Sequence, residues 1–261
     1  MSMNNLRKKK LSGEKITSIT AYDYSFAKVI DEIGFDIILV GDSLGNVILG
    51  YDTTIPVSIN DMEYHTRAVS RGTRHGLLIS DMPFMTYSNR SDALKNSSKL
   101  MQAGAQMVKL EGGEWLSETV NQLTKCGIPV CAHLGLTPQS IHKIGGFKTQ
   151  GDNKTSAEAI ISSAIILEQA GAELLVVECI PAALGKKISE SLSIPVIGIG
   201  AGANTDGQIL VLYDLIGLSP QMPGFSKNFL SEGNSISDAL IRFATAIRDG
   251  SFPPADQSHP S

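Results

Sequence analysis

"AGAQMVKLEGG", residues 103–113, reads as a helix stop, a strand and a turn in quick succession. Gly104 marks where a helix gives way. "AQMVKLE" (105–111) is nearly continuous in its apolar character rather than alternating. Strands covered on both faces of a parallel sheet read this way. Lys109 and Glu111 are two positions apart, so on a strand they face the same side. Gly112 and Gly113 then let the chain turn away without crowding whatever those two side chains face.

The same pattern recurs along the chain. Further strand-like runs are "KITSIT" (15–20), "FDIILVG" (35–41), "GLLISD" (76–81), "IPVCAH" (128–133), "AELLVVE" (172–178), "IPVIGIG" (194–200) and "QILVLYD" (208–214). Helix-like segments lie between them, among them "SFAKVIDEIG", "MEYHTRAVSRG", "RSDALKNSSKLMQAGA" and "SAEAIISSAIILEQAGA", with "SISDALIRFATAIRDG" as the last. Eight strand candidates alternating with helices predict an α/β fold, a closed (β/α)8 TIM barrel, with 1–261 as one barrel domain. The "GIGAG" at 198–202 offers a dinucleotide-binding alternative, but it lacks a full GxGxxG and lies near the end of the chain, where a tight turn accounts for it. The tail "FPPADQSHPS" reads as an extended, loosely held end.

Composition narrows the function. The chain has 261 residues, 42% hydrophobic and 18% charged, with a net charge of -4. The acidic balance argues against nucleic acid or an anionic membrane surface as the main partner. No apolar stretch reaches the ~18 residues of a membrane span. The basic N-terminal segment "MSMNNLRKKKLSGEK" is not followed by the apolar core of a secretory signal. Cys126, Cys131 and Cys179 have no metal-ligand spacing and are expected as buried thiols in a reducing compartment, the cytoplasm.

The ends of the strand runs carry the chemistry, because barrel active sites form there. They are Asp42, Asp81, Glu111, His133, Glu178 and Asp214. For Asp42 and Asp81, capping of the following helix is an equally good reading. Asp214 fits a cap, and His133 fits a satisfied core histidine. Glu111 has no long helix directly after it. Taken together, however, the acids need compensation: two carboxylates about 4 Å apart repel by about 4 kcal/mol at an effective dielectric near roughly 20. Oxygen donors with open positions suit Mg²⁺, and zinc is disfavoured without a His/Cys cluster. Asp42, Asp81 and Glu111 are therefore expected to bind a hard cation, directly or through water. Lys109, one step deeper on the Glu111 face, is expected to hold a substrate carboxylate. The alternative for Lys109 is a buried ion pair with an acid.

At these residues the sequence resembles the ketopantoate hydroxymethyltransferase family, of the phosphoenolpyruvate/pyruvate-type group of barrels. The resemblance runs from about Lys15 to the tail. It rests on "TAYDYSFAKVIDEIGFDIILVGDSLGN" (20–46), "SDMPFMTY" (80–87), "VKLEGG" (108–113), "HLGLTPQSIHKIGGFKTQG" (133–151) and "ECIPAALGKKISESLSIPVIGIGAG" (178–202). It implies transfer of a one-carbon unit from 5,10-methylenetetrahydrofolate to 3-methyl-2-oxobutanoate, a step toward pantothenate and coenzyme A. It also implies metal positions at Asp42, Asp81 and Glu111, keto-acid contacts at Asp42, Ser43, Asp81 and Lys109, a proton acceptor at Glu178, and a cytoplasmic homodecamer. His133 matches a polar position without a settled role. Mg²⁺ is the expected metal, with Mn²⁺, Co²⁺ and Zn²⁺ open. Two departures stand out: Ala132 where the family often has glycine, expected to tighten packing beside His133, and the loop "GAGANTDGQ", expected at the folate site or on the surface.

The resemblance also sets the expected chemistry. The keto acid forms an enolate stabilised by the metal, and Glu178, partly buried after "LLVV", takes the proton. A related barrel lyase would carry a cysteine on the loop after Glu111, and none occurs there before Cys126. A catalytically silent binding protein is the third class.

Overall fold

The computed structural model describes residues 1–219 and 222–257. Its eight strands are β1 (Ile16–Thr20), β2 (Ile37–Val40), β3 (Leu77–Asp81), β4 (Met107–Glu111), β5 (Val130–Gly135), β6 (Leu174–Glu178), β7 (Val196–Ile199) and β8 (Gly207–Leu210). They pair in sequence order, all parallel, and β8 closes on β1. The (β/α)8 barrel is thus the observed architecture.

Why the strands read as continuous apolar runs follows from how they are covered. Successive side chains alternate between two apolar surroundings. Ile37, Leu39, Leu77, Ile79, Met107, Leu174 and Val176 belong to the cluster inside the barrel. Ile38, Val40, Leu78, Val108, Leu110, Leu175 and Val177 belong to the layer under the helices. The inward stripe on β4 is Met107, Lys109, Glu111, so a period of two carries an apolar floor upward into a charged mouth. Asp81, His133 and Glu178 end the same inward stripes on β3, β5 and β6.

The helices Tyr24–Ile33, Ile59–Gly72, Arg90–Gln102, Ser117–Lys125, Lys154–Gln169 and Ala182–Ser191 occupy the first six crossovers, and Ile236–Arg248 follows β8. Gly34 stops the first of them with φ 88°, its N–H donating to the Ile30 and Asp31 carbonyls. Alternation fails once: residues 200–206 join β7 to β8 without a helix. This loop runs back to the base of the barrel, where Lys15 Nζ donates to the carbonyls of Ala203 and Thr205 and Lys10 pairs with Asp206 at 2.7 Å. Residues 203–206 of "GAGANTDGQ" therefore lie at the end opposite the strand C-termini.

Several local expectations change. The basic N-terminal segment forms a helix, Met3–Ser12, whose single buried residue, Leu6, packs into the inside cluster and plugs the base. "QILVLYD" is strand only to Leu210; Leu212–Leu215 is a helical turn. Cys126 is exposed, whereas Cys131 and Cys179 are buried. The tail is anchored at its start, because Phe252 is buried against Phe229 and Phe243. Residues 258–261 lie outside the described residues.

Candidate active site

The strand C-termini surround a cavity of about 450 Å³. Its floor is apolar, from Leu39, Val176, Ile199 and Ile209, and its wall carries Asp42, Asp81, Lys109, Glu111, His133 and Glu178. Residues from β2 to β6, 136 positions apart at the extremes, are thus brought to one mouth by closure of the barrel.

Lys109 is 4% exposed and sits among carboxylates. Its Nζ lies 2.7 Å from Asp81 Oδ1 and 3.6 Å from Glu111 Oε1. Burial alone would lower its pKa, but Asp81, Glu111 and Asp42 together raise it, so the ammonium stays protonated. The ion-pair reading of Lys109 is therefore realised in the geometry. One cation faces three acids, so the ion pair leaves negative charge at the mouth for a further cation to compensate. Burial, then the neighbouring Asp81 and Glu111 charges, push the Asp42 carboxyl well above the usual carboxylate range. Glu111 goes the other way: burial would raise it, but Lys109 and His133 outweigh burial and hold it below its ordinary value.

The capping alternative does not describe these acids. Ser43, not Asp42, precedes the turn Leu44–Val47, and the helix after β3 is capped by Asn89. Asp81 Oδ2 instead accepts the Asp42 N–H at 3.0 Å. Asp81 Oδ1, despite its 2.7 Å approach to Lys109, accepts no well-directed hydrogen bond. Ser43 Oγ is 2.8 Å from the Tyr22 hydroxyl, whose ring packs on Tyr213.

His133 links the two halves of the mouth. Its Nδ1 lies 3.2 Å from Glu111 Oε1 and its Nε2 lies 3.2 Å from Glu178 Oε2. Burial and Lys109 oppose protonation, but the flanking carboxylates prevail and push the imidazole up to about 9. Glu178 ends β6 beside Gly135, whose φ is +90°. The Glu178 carbonyl accepts the Leu136 N–H at 2.8 Å, and a Cβ on Gly135 would meet that oxygen at 2.2 Å. Gly135→Ala is expected to cost about 2–4 kcal/mol from left-handed strain plus overpacking. Urea denaturation measures it, and an unchanged midpoint would mean that the strand end relaxes freely. Gly112 has a similar reason for its glycine, since at φ +147° a Cβ would lie 2.6 Å from the Trp115 ring.

Comparison with known proteins adds the lineage. The family model for ketopantoate hydroxymethyltransferase matches residues 1–255. A 3-methyl-2-oxobutanoate hydroxymethyltransferase of Idiomarina loihiensis is 56% identical over 259 residues, covering 99% of this chain and 97% of that one. One from Shewanella sediminis is 54% identical, covering 99% and 98%. The chain belongs to the ketopantoate hydroxymethyltransferase family. Among solved structures, a putative phosphonomutase from Burkholderia cenocepacia superposes with a TM-score of 0.65 at 15% identity, covering 82% of this chain and 94% of that one. A phosphonopyruvate hydrolase in complex with oxalate and Mg²⁺ gives 0.62 at 16% identity, covering 100% and 92%. At such identities the likeness is one of fold.

Within this hydroxymethyltransferase chain, the structure gathers Asp42, Asp81, Lys109, Glu111, His133 and Glu178, with Ser43 on the same cavity wall. Asp214 also lines this cavity, but from beyond the strand end at which it was expected. It lies in the turn after β8 and accepts hydrogen bonds from the Ser219 and Ser226 hydroxyls. Ala132 belongs to the layer under the helices, so it packs away from the His133 ring rather than beside it. Two site residues were not singled out from sequence, Gln139 and Tyr87. Gln139 donates through Nε2 to Asp42 Oδ2 at 2.8 Å and through its backbone N–H to Glu111 Oε2 at 3.1 Å. Both sit behind the acids of the cavity wall, Gln139 in the short 3-10 helix Pro138–Ser140 and Tyr87 in the loop after β3, where the local sequence pattern gives no sign of the acids they touch.

Among the described residues, no three His, Cys, Asp or Glu side chains are arranged to hold an ion unaided. The donors nevertheless fit Mg²⁺. That ion takes one or two carboxylates and fills its other positions with water and substrate oxygens. Asp81 Oδ1 is a buried oxygen that accepts no well-directed hydrogen bond although Lys109 lies 2.7 Å away, and burial and acidic neighbours disfavour the charged form of Asp42 until a cation compensates it.

Proposed function

We propose that this chain transfers a hydroxymethyl unit from 5,10-methylenetetrahydrofolate to 3-methyl-2-oxobutanoate, with addition of one water, giving 2-dehydropantoate and tetrahydrofolate. The observation that carries the reading is Lys109, a buried ammonium among three carboxylates at the rim of an apolar cavity. That combination suits a small oxoacid that brings its own carboxylate and a divalent cation to the same place. Family membership supports the reaction itself.

In this reading Asp42, Asp81 and Glu111 would hold Mg²⁺, directly or through water. When bound, the cation supplies Lewis-acid stabilisation of negative charge developing on the keto oxygen. Lys109 pairs with the substrate carboxylate, and the Ser43 hydroxyl adds a hydrogen bond, fixing the acid's orientation. Leu39, Val176, Ile199 and Ile209 shelter the branched carbon chain from water. Glu178 accepts the C3 proton, and His133 orients its carboxylate. The carbanionic C3 forms a new bond to the methylene carbon. That carbon's two bonds to folate nitrogens are replaced over the reaction, one by this carbon–carbon bond and the other by a bond to the oxygen of water. The two nitrogens take up the C3 proton and a water proton to give tetrahydrofolate. The family resemblance supports a homodecamer working in the cytoplasm; no helix among the described residues is long and apolar enough to cross a membrane, and light scattering would size the assembly.

The purified protein is expected to form 2-dehydropantoate only when both keto acid and 5,10-methylenetetrahydrofolate are present, and to lose this activity under a chelator. Cleavage of a branched malate-type acid, with no folate-dependent product, would instead favour the lyase reading.

A further inference from the structure

We propose that Gln139 is a positioning residue that sets the orientation of the Asp42 and Glu111 carboxylates for a divalent cation, with Tyr87 locking Gln139 in place. The inference rests on the cation reading of the mouth given above.

Gln139 is 5% exposed, on the loop after β5, and every polar group of its side chain is used. One amide hydrogen goes to Asp42 Oδ2 at 2.8 Å and the other to the Met82 carbonyl at 2.9 Å. A carbonyl only accepts, so the Met82 contact fixes which end of the amide is nitrogen. The amide oxygen lies 2.5 Å from the Tyr87 hydroxyl. That hydroxyl also lies 3.1 Å from the Glu111 carbonyl oxygen and accepts the Glu111 N–H at 3.3 Å. The Gln139 backbone N–H reaches Glu111 Oε2 at 3.1 Å. A single residue therefore bridges acids from two different strand ends, 69 positions apart, and is tied through Tyr87 to the backbone of one of them.

The chemistry of an amide suits this task. A lysine or arginine at this place would orient Asp42 but also neutralise it. An amide donates a hydrogen bond without cancelling charge, so the negative potential that attracts a cation survives while the carboxylates are held still. Residues that orient metal ligands from behind typically change affinity by about 10–100-fold when removed.

The test uses the full-length protein with Mn²⁺ as a spectroscopic stand-in for Mg²⁺, titrated by electron paramagnetic resonance in the presence of 3-methyl-2-oxobutanoate. Gln139→Met keeps the bulk of the side chain and removes both side-chain donors. It is expected to weaken Mn²⁺ binding about 10-fold or more, with the fold retained by circular dichroism. A merely structural residue would lower the melting temperature and leave the Mn²⁺ affinity of the folded protein alone; that result overturns the proposal. Wild-type protein that binds no Mn²⁺ with the keto acid would overturn the cation reading itself, and the proposal with it. Should Gln139→Met fail to fold, Tyr87→Phe decides. It frees the amide oxygen of Gln139 and is expected to weaken Mn²⁺ about threefold, a smaller share of the same effect; wild-type affinity in that variant also overturns the proposal.

Discussion

Lys109→Met will cost both binding and stability. Keto-acid affinity is expected to fall on the order of a hundredfold, because removing one partner of a desolvated charge pair is worth about 2–5 kcal/mol. Calorimetric titration with the keto acid measures it. The stability effect arises independently of substrate. Nζ is 2.7 Å from Asp81 and 3.6 Å from Glu111, and all three side chains are buried. Methionine fills the same space without the charge and leaves the acids facing one another. Breaking a buried pair this way costs about 3–5 kcal/mol. Part of that loss should return with Mg²⁺, because a cation that binds only the folded protein stabilises it by mass action. The melting temperature is therefore expected to drop, then to rise with Mg²⁺ more steeply in the variant than in the wild type. A variant that melts like the wild type without metal would show that the acids are not held together by Lys109. Such a result would remove the central electrostatic argument for the site.

The legible and illegible parts of this protein divide by how far each residue's structural reason lies from it in sequence. Runs such as "IILV" and "LLVV" are covered on both sides, so nearly every residue in them is apolar and the strands announce themselves. The charged ends announce themselves too, since Lys109, Glu111 and Glu178 interrupt runs that burial would otherwise keep apolar. Once a barrel is inferred, its closure places those ends together without further information. Leu212–Leu215 is different. Four residues, three of them buried, are too few to separate a helical turn from a strand by periodicity, so "QILVLYD" reads as one run and Asp214 as its end. The helix Met3–Ser12 has one buried side chain, Leu6, and no apolar stripe. It is held by the plugged barrel base and by Lys9 with Asp36 and Lys10 with Asp206, pairs that span 27 and 196 positions. Gln139 is the extreme case, because its purpose is visible only in partners at the ends of β2, β3 and β4. An uncharged residue in a loop carries no local mark of the acids it orients.

Glu178→Gln is expected to abolish the chemical step while sparing binding. General-base catalysis by a positioned carboxylate is worth about 10²–10⁴-fold, so exchange of the substrate's C3 hydrogen with solvent, followed without folate by proton NMR in heavy water, should slow by that factor. Keto-acid affinity in Mg²⁺ should change little, since the residues assigned to the carboxylate and the cation lie on β2, β3 and β4 and the loops after them. The rival base is His133, and geometry argues against it. Its Nδ1 lies 3.2 Å from Glu111 and its Nε2 3.2 Å from Glu178, and these carboxylates push the imidazole up to about 9, so the ring already holds the proton that a base would have to accept. Its ring is also the deeper of the two, with a side-chain exposure of 3% against 13% for Glu178. Glutamine keeps the shape of Glu178 and a hydrogen-bonding partner for His133, yet its amide has no basic lone pair for a carbon-bound proton. Exchange should therefore separate proton acceptance from positioning. Full exchange in Glu178→Gln would assign the proton to another group, and loss of keto-acid binding along with exchange would make Glu178 part of the substrate clamp.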